Sequence, residues 1–212
     1  MLNVYVAAYE RRRFAWLFAS LLLTIGLLPV INAVAPGLNL LEPLLAVNLV
    51  AAIASVGREH KPLMVGGGAF LAVRSLQAAL GSTALLTVSE SLWVAACVLA
   101  MAATAQHALR SGVVDGERIF AALDAYLLAG LMFAVAYVLV EMTWPGSFRG
   151  AQPFDLGRSI YFSFVTIATL GYGDIVPTSD AARALTILEA VGGQMYLAVL
   201  VARLVSLYAM TK

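Results

Sequence analysis

The sequence predicts an all-α membrane protein with six transmembrane helices and one shorter, re-entrant helix. Three observations lead to this fold class. Of 212 residues, 62% are hydrophobic and only 12% are charged, whereas soluble domains carry about 25% charged residues. The apolar residues gather in stretches about 20 residues long, enough to cross the hydrocarbon core of a bilayer as helix. Between the last two stretches lies "TIATLGYGDIVP", whose Gly-Tyr-Gly does not suit a regular helix.

The apolar stretches define six spanning helices. They are predicted at residues 14–35, 38–56, 63–86, 91–108, 119–142 and 182–209. Short polar segments join them, among them "TVSES" between the third helix and the fourth. The net charge of +1 gives no reason to expect a nucleic-acid partner.

The distribution of Lys and Arg predicts the orientation in the membrane. Six helices with the N-terminus inside leave only Arg149, Arg158 and Arg183 outside. The cytoplasmic side then carries Arg11, Arg12, Arg13, Arg58, Lys61, Arg110, Arg118 and Lys212. Since basic residues concentrate on the cytoplasmic side, both termini are predicted to be cytoplasmic. The expected location is the cell (plasma or inner) membrane, with lipids as neighbours.

The segment 158–168, "RSIYFSFVTIA", is compatible with a helix but too short to span a membrane. At 1.5 Å per residue it reaches about 16 Å, half of the hydrocarbon core. It is therefore predicted to be re-entrant and to stop at mid-depth. Asp155 or Ser159 is a candidate N-cap for it. Non-helical backbone at that depth is tolerated only inside protein or along a water-filled cavity. Because glycine adopts backbone conformations that other residues avoid, Gly171 and Gly173 allow successive carbonyls to turn to one side, as oxygen ligands for a cation.

The stretch "TIATLGYGD" resembles the signature sequence of the potassium channel family, and the order of elements over 119–210 resembles that family's pore unit. The resemblance implies an ion-binding filter formed by Thr169, Leu170, Gly171, Tyr172 and Gly173. Carbonyls of the first four would bind K⁺, and the Thr169 hydroxyl would complete the innermost site. Leu170 stands where the family more often has Val or Ile. Since one chain supplies one filter strand, the resemblance implies a homotetramer, with K⁺ as permeant ion and no cofactor.

The resemblance also assigns residues that support the filter. Asp174 follows the filter, and Tyr161 and Phe162 occupy the positions of the family's aromatic partners for this acid. The Tyr161 hydroxyl is expected to donate to Asp174, whereas Phe162 has no hydroxyl to donate. Val165 stands where many relatives have a glutamate, so that brace is absent.

The last helix carries a stripe expected to line the cavity below the filter. The helical period of 100° per residue groups Gln194, Leu197, Val201 and Val205. A bond from Gln194 to a neighbouring helix is the alternative. Gly192 and Gly193 stand where the family has a hinge, and close helix packing is the alternative to it.

Glu189 is predicted to face the re-entrant helix, at a depth where an unpaired carboxylate is costly. A hydrogen bond with Thr166, or with backbone near the filter, would relieve that cost. Our hypothesis is that Glu189 couples the last helix to the filter and carries a proton.

The chain is divided into a four-helix domain (1–110), a cytoplasmic linker (111–118) and a pore domain (119–212). The first domain resembles a voltage sensor without its charges, because residues 91–107 of the fourth helix contain no Lys or Arg. Steep voltage gating is therefore not expected. Arg74 lies near mid-membrane, and Glu42 is its expected ion-pair partner.

These features predict a passive, potassium-selective channel of the six-helix prokaryotic type. Two alternatives stay open: a weakly selective cation channel and, in another class, a potassium transporter subunit. Potassium transporters related to channels carry four degenerate filter loops in one chain, and this chain carries one intact copy. No phosphate-binding loop, metal cluster or nucleophile–base pair indicates an enzyme.

Overall fold

The computed structural model describes residues 12–34, 41–56, 61–109, 115–150 and 153–209. Over these residues it contains seven helices and two short strands. The helices are α1 (Arg13–Val34), α2 (Leu41–Val56), α3 (Lys61–Leu80), α4 (Thr83–Leu109), α5 (Gly116–Thr143), α6 (Leu156–Ile167) and α7 (Asp180–Ala209). The strands are β1 (Phe148–Arg149) and β2 (Val176–Pro177). The predicted all-helical class is confirmed, and the two-residue strands are an addition to it.

Within the described chain, four helices are long and apolar enough to cross a membrane. They are Leu63–Leu80, Thr83–Leu109, Gly116–Thr143 and Asp180–Arg203. Two further apolar helices, Arg13–Leu27 and Pro43–Val56, are shorter. The chain is thus a helical membrane protein, and the short α6 is not among the spanning helices, as its length requires.

The chain divides into two compact units, residues 1–128 and 129–212, and the division falls inside α5. In the first unit, the buried faces of the helices repeat at intervals of three and four residues, as in Leu17 and Leu21 of α1. A polar chain joins α1 to α2: Ser20 donates to the Asn48 amide oxygen (2.5 Å), and the Asn48 amide donates to Thr24 (2.6 Å). Hydrogen bonds of this kind fix which faces of two apolar helices meet.

The predicted boundary between the third and fourth helices is wrong. Gly81, at φ +63°, ends α3, and its N–H donates to the Gln77 carbonyl (2.8 Å). Left-handed glycine is a common way for a helix to end. The "TVSES" segment lies inside α4, because its hydroxyls donate to carbonyls of their own helix, as Ser91 does to Thr87 (2.8 Å). Serine and threonine residues whose hydroxyls are hydrogen-bonded in this way can lie inside a helix.

The corrected boundary explains the ion pair found in this unit. Arg74 of α3 contacts Glu90 of α4 at 3.2 Å, with both side chains less than one-fifth exposed. Glu90 belongs to the "TVSES" segment that was predicted to be a loop, so it was not a candidate partner for Arg74. The side chain of Glu42, the expected partner, lies outside the described residues.

The core of the second unit is an aromatic cluster between α5, α6 and the strands. Phe148 stacks on Phe154 at 4.2 Å, and Tyr137 meets Phe162 edge-on at 5.1 Å between ring centroids. Strands β1 and β2 pair antiparallel, with Phe148 opposite Pro177. This pairing fixes the segment that follows residue 173 against the loop that follows α5.

Candidate functional site

The candidate site is the segment 169–173, which directly follows the C-terminal end of helix α6. Asp155 is the N-cap of α6 and accepts a hydrogen bond from the Arg158 N–H at 2.9 Å. Asp155 was one of the two predicted N-cap candidates. The other candidate, Ser159, instead donates to the Ala134 carbonyl of α5. The helix begins two residues before the predicted 158 and ends at Ile167, one residue before the predicted end. Its 12 residues are about 18 Å long, too short to cross a bilayer.

Helices α5 and α6 are joined at the level of their backbones. Ser163 lies within hydrogen-bond distance of the Gly130 carbonyl (2.6 Å), one turn along from the bond of Ser159 to Ala134. A Cβ at Gly130 would overlap the ring of Phe164. Glycine at this position therefore allows the close approach that both serines use.

The first N–H groups after α6 donate hydrogen bonds to carbonyls in its last turn. Thr169 N–H donates to the Thr166 carbonyl at 2.9 Å. Leu170 and Gly171 both direct their N–H groups to the Val165 carbonyl, at 2.9 and 3.3 Å. No hydrogen bond among the described residues uses a carbonyl of residues 169–173. The first three N–H groups of residues 169–173 are therefore bonded to α6, and the carbonyls of this segment are free.

The backbone φ angles of residues 169–173 alternate in sign. Thr169, Gly171 and Gly173 have φ of +58°, +54° and +76°, whereas Leu170 and Tyr172 do not have positive φ. In an ordinary strand successive carbonyls point to opposite sides, and reversing the hand at every second residue turns them to the same side. Thr169 is the one non-glycine residue of the described chain with positive φ. A β-branched residue in this region is strained, at a cost of about 1–3 kcal/mol.

Asp174 is held by the hydrogen bond that the sequence led us to expect, from the Tyr161 hydroxyl to Asp174 Oδ2 at 2.7 Å. Donating this bond to the Asp174 carboxylate raises the pKa of Tyr161 above its ordinary value, so the hydroxyl keeps its proton. Phe162, the other aromatic residue assigned to this region, is buried in the aromatic cluster.

Gly150 holds the other side of Asp174. It has φ +108°, and a Cβ placed there would overlap the Asp174 carbonyl oxygen. The loop before α6 therefore lies directly against the backbone at the end of the 169–173 segment. Nothing in the sequence pattern alone distinguishes Gly150 from the other loop glycines.

Glu189 of α7 is fully buried and contacts two hydroxyls. Its carboxyl oxygens lie within hydrogen-bond distance of Tyr137 of α5 and Ser163 of α6. The expected partner Thr166 is not the one the structure shows. The carboxyl points to the middle of α6, one turn before Thr166.

One turn further along α7, two residues contact the end of α6. The Gln194 side-chain amide donates to the Ile167 carbonyl at 3.2 Å. A Cβ at Gly193 would overlap the Ile167 side chain, whereas a Cβ at Gly192 would meet open space. The geometry at Gly193 is that of close packing, and α7 continues unbroken from Asp180 to Ala209. The hinge role of both glycines stays a prediction.

The remaining surface of α7 is largely exposed and apolar. Ala182, Glu189 and Gly193, spaced seven and four residues apart, form its buried stripe. Gln194, Val201 and Val205 of the predicted cavity stripe are exposed and Leu197 is half-buried. Met195 and Val199, off that stripe, are exposed too. The isolated chain thus leaves most of the circumference of α7 uncovered.

The comparisons with known proteins fall on this same unit. A family model described as "ion channel" matches residues 122–209. The inward rectifier potassium channel Kirbac3.1 of Paramagnetospirillum magnetotacticum is 38% identical over 78 residues, covering 35% of this chain and 24% of the relative. Residues 122–209 are thus similar to ion channels, and a potassium channel is among the relatives that match them.

Two plant members of the potassium channel family are also similar to this chain. The two pore potassium channel c of Oryza sativa subsp. japonica is 31% identical over 88 residues, covering 39% of this chain and 19% of the relative. The two-pore potassium channel 4 of Arabidopsis thaliana is 34% identical over 84 residues, covering 36% and 30%. This chain therefore spans less than a third of the length of these three relatives. No solved structure gives a significant match.

The similarity to potassium channels makes the "TLGYGD" segment the functional candidate, and the structure adds neighbouring residues that sequence reasoning missed. Tyr137 and Ser163 had no role before the fold placed them beside Glu189. Gly150 carried only the signal of a glycine in a loop. The spacing of Ser159 and Ser163, one helical turn apart on α6, was the available sign of a polar face.

Proposed function

We propose that this chain is one subunit of a potassium-selective channel that conducts K⁺ passively through a homotetrameric pore. The observation that carries the proposal is the alternating hand of the backbone over residues 169–173. Four consecutive carbonyls, on Thr169, Leu170, Gly171 and Tyr172, have no other acceptor role. Rings of such oxygens replace the hydration shell of a potassium ion in channel filters.

The number of subunits follows from the number of filter segments. One chain supplies one strand of carbonyls, and four strands close a ring around a cation. The exposed side chains of Leu170 and Tyr172, at 55% and 67%, are available for contacts with neighbouring subunits. The uncovered surface of α7 supports the same assembly, with lipid covering what the subunits leave.

The electrostatics of α6 also suit a cation. The C-terminal end of a helix carries a partial negative charge, equivalent to roughly half an elementary charge. In the proposed pore, four copies of α6 end at the filter and direct that charge toward the cavity, with Gln194, Leu197, Val201 and Val205 as its walls. Membrane helices α1–α5 and α7 then form six crossings, with both termini cytoplasmic.

The channel is proposed to respond weakly to voltage. Helix α4 contains no Lys or Arg between Thr83 and Leu109, so the field has no gating charge there to move. Sensitivity comparable to that of a charged fourth helix would require charge elsewhere in the first unit.

Reconstitution into liposomes tests the proposed function. With a potassium gradient, we expect K⁺ and Rb⁺ flux that Ba²⁺ blocks, little Na⁺ flux, and a mass in detergent equal to four chains. Equal Na⁺ and K⁺ flux would favour the weakly selective cation channel, and flux that requires a co-transported ion would favour a transporter subunit. Any symmetry other than fourfold would contradict the pore.

Tyr161→Phe tests the support of the filter through Asp174. The change removes the 2.7 Å bond and leaves the ring, so we expect the Rb⁺/Na⁺ flux ratio to fall several-fold, because a bond to a charged acceptor contributes about 1.5–3 kcal/mol. Asp174→Ala is expected to have a similar effect, and the double variant no more than either. Additive losses in this cycle would show that the two residues act separately.

A further inference from the structure

Three helices of the second unit meet at one buried carboxyl group. Glu189 of α7 contacts Tyr137 of α5 through one oxygen and Ser163 of α6 through the other. Ser163 in turn contacts the Gly130 carbonyl of α5. Glu189, Tyr137 and Ser163 are each fully buried, so water does not share these contacts.

Counting protons in this cluster determines the state of Glu189. Three oxygen–oxygen contacts must each contain one proton: Gly130 to Ser163, Ser163 to Glu189, and Glu189 to Tyr137. The hydroxyls of Ser163 and Tyr137 supply two. A carbonyl oxygen only accepts, so the Ser163 proton lies on the 2.6 Å contact with Gly130. The contact between Ser163 and Glu189 then lacks a proton unless the carboxyl carries one.

Among the described residues, no cation forms an ion pair with Glu189. The ion pairs found among the described residues join Arg74 to Glu90, Arg158 to Asp155 and Arg183 to Asp180, and none includes Glu189. Tyr137 is the titratable group that faces it from α5, and α6 presents Ser163. A buried carboxylate without a positive partner is costly, whereas a neutral acid with both oxygens hydrogen-bonded is not.

We propose that Glu189 is a neutral carboxylic acid that donates its proton to Ser163 and thereby positions α6, and the filter it carries, on α7. Glu189 accepts from Tyr137 and donates to Ser163, and Ser163 donates to Gly130. This chain of donors runs in one direction across all three helices. The positioning role rests on the proposed channel function; the protonation does not.

Glu189 provides one of two contacts through which α7 positions α6. It holds α6 at Ser163, and one turn further along both helices Gly193 and Gln194 hold Ile167. Thr169 follows Ile167 by two residues. Movement of α7 is therefore transmitted to the inner end of the filter through two contacts one turn apart.

Infrared difference spectroscopy on the reconstituted protein at pH 7 tests the protonation. The wild-type spectrum minus that of Glu189→Gln is expected to contain the C=O stretching band of a carboxylic acid and no carboxylate bands. In Ser163→Ala, the acid loses the acceptor of its proton, and the band is expected to move to higher frequency. Carboxylate bands in the first difference spectrum would overturn the proposal.

The matched control is Ser159→Ala. Ser159 is also buried on α6 and also donates to a carbonyl of α5, but it does not contact Glu189. It is expected to leave the acid band in place, and an equal shift in both serine variants would overturn the assignment. Should Glu189→Gln fail to assemble, Ser163→Ala retains the carboxyl and carries the same test.

Flux measurements test the positioning role. Glutamine can donate to Ser163 and accept from Tyr137, so Glu189→Gln is expected to keep Rb⁺ flux and the Rb⁺/Na⁺ ratio within about twofold of wild type. Glu189→Ala breaks both bonds and is expected to lower the ratio at least about tenfold, since an unmet buried hydrogen bond has an effect of that size. A wild-type ratio in Glu189→Ala would overturn the positioning role.

The two proposals fail in different ways. Wild-type protein that carries no K⁺ but has the acid band would contradict the channel function and support the protonation. Protein that conducts K⁺ selectively but has carboxylate bands at Glu189 would contradict this inference alone.

Discussion

Replacing Gly171 by alanine is expected to reduce K⁺ flux at least about a hundredfold. Gly171 has φ +54°, and a Cβ there would meet nothing within 4 Å, so the effect comes from the backbone alone. Holding an L-residue in this left-handed conformation costs roughly 1–2 kcal/mol, and a tetramer would bear it four times. The segment is expected to relax to negative φ, which turns its carbonyls away from the proposed ion path. The measurement is Rb⁺ flux per tetramer in liposomes.

Gly81→Ala is the control for that prediction. Gly81 has a similar φ, +63°, and its Cβ would also meet open space, but it lies between α3 and α4. The variant is expected to lose about 1 kcal/mol of stability and to keep its flux. Equal loss of flux in both variants would show that general instability is being measured. Unchanged flux in Gly171→Ala would contradict the proposed filter.

Replacing Gly150 by alanine is expected to disrupt both the outer end of the proposed filter, at Asp174, and the proposed tetramer. The new Cβ would overlap the Asp174 carbonyl oxygen, and backbone, unlike the end of a side chain, cannot rotate away. The Asp174 segment would have to move, and the Tyr161 bond and the pairing of β1 with β2 would move with it. We expect loss of the tetramer in size-exclusion chromatography, and loss of K⁺ flux in what assembles.

Gly146→Ala separates this collision from backbone strain. Gly146 lies in the same loop with φ +84°, and a Cβ there would meet nothing within 4 Å. It is expected to cost about 1 kcal/mol of stability and to leave the tetramer intact. If the two variants behave alike, the contact between Gly150 and Asp174 does not position the outer end of the proposed filter.

Several features of this protein could be read from the sequence because they depend on local chemistry. The apolar stretches predicted helices, and the length of the segment before "TLGYGD" predicted a short one. The bond from Tyr161 to Asp174 was predictable from the resemblance and from the fact that only one of the two adjacent aromatic residues has a hydroxyl. The Asp155 cap followed from the side chains that can accept from a free helix N–H.

The error between α3 and α4 shows the limit of composition as a signal. The segment "TVSES" was predicted to be a loop because four of its five residues are polar. Its hydroxyl groups instead donate hydrogen bonds to backbone carbonyls of the same helix. Gly81, a single residue in an otherwise helical pattern, ended the helix instead. With the boundary misplaced, Glu90 was not available as a partner for Arg74.

The sequence by itself determined that this is a helical membrane protein, where its backbone leaves the helix, and that its "TLGYGD" segment resembles the filter sequence of potassium channels. Only the tertiary structure decided the partners of Glu189 and the contact of Gly193 with Ile167. It also decided that a Cβ at position 150 would overlap the Asp174 carbonyl oxygen. The reason is physical. Helix formation and capping depend on neighbours within about four residues, whereas these contacts join residues 24 to 52 positions apart. Such contacts exist only once the helices have packed.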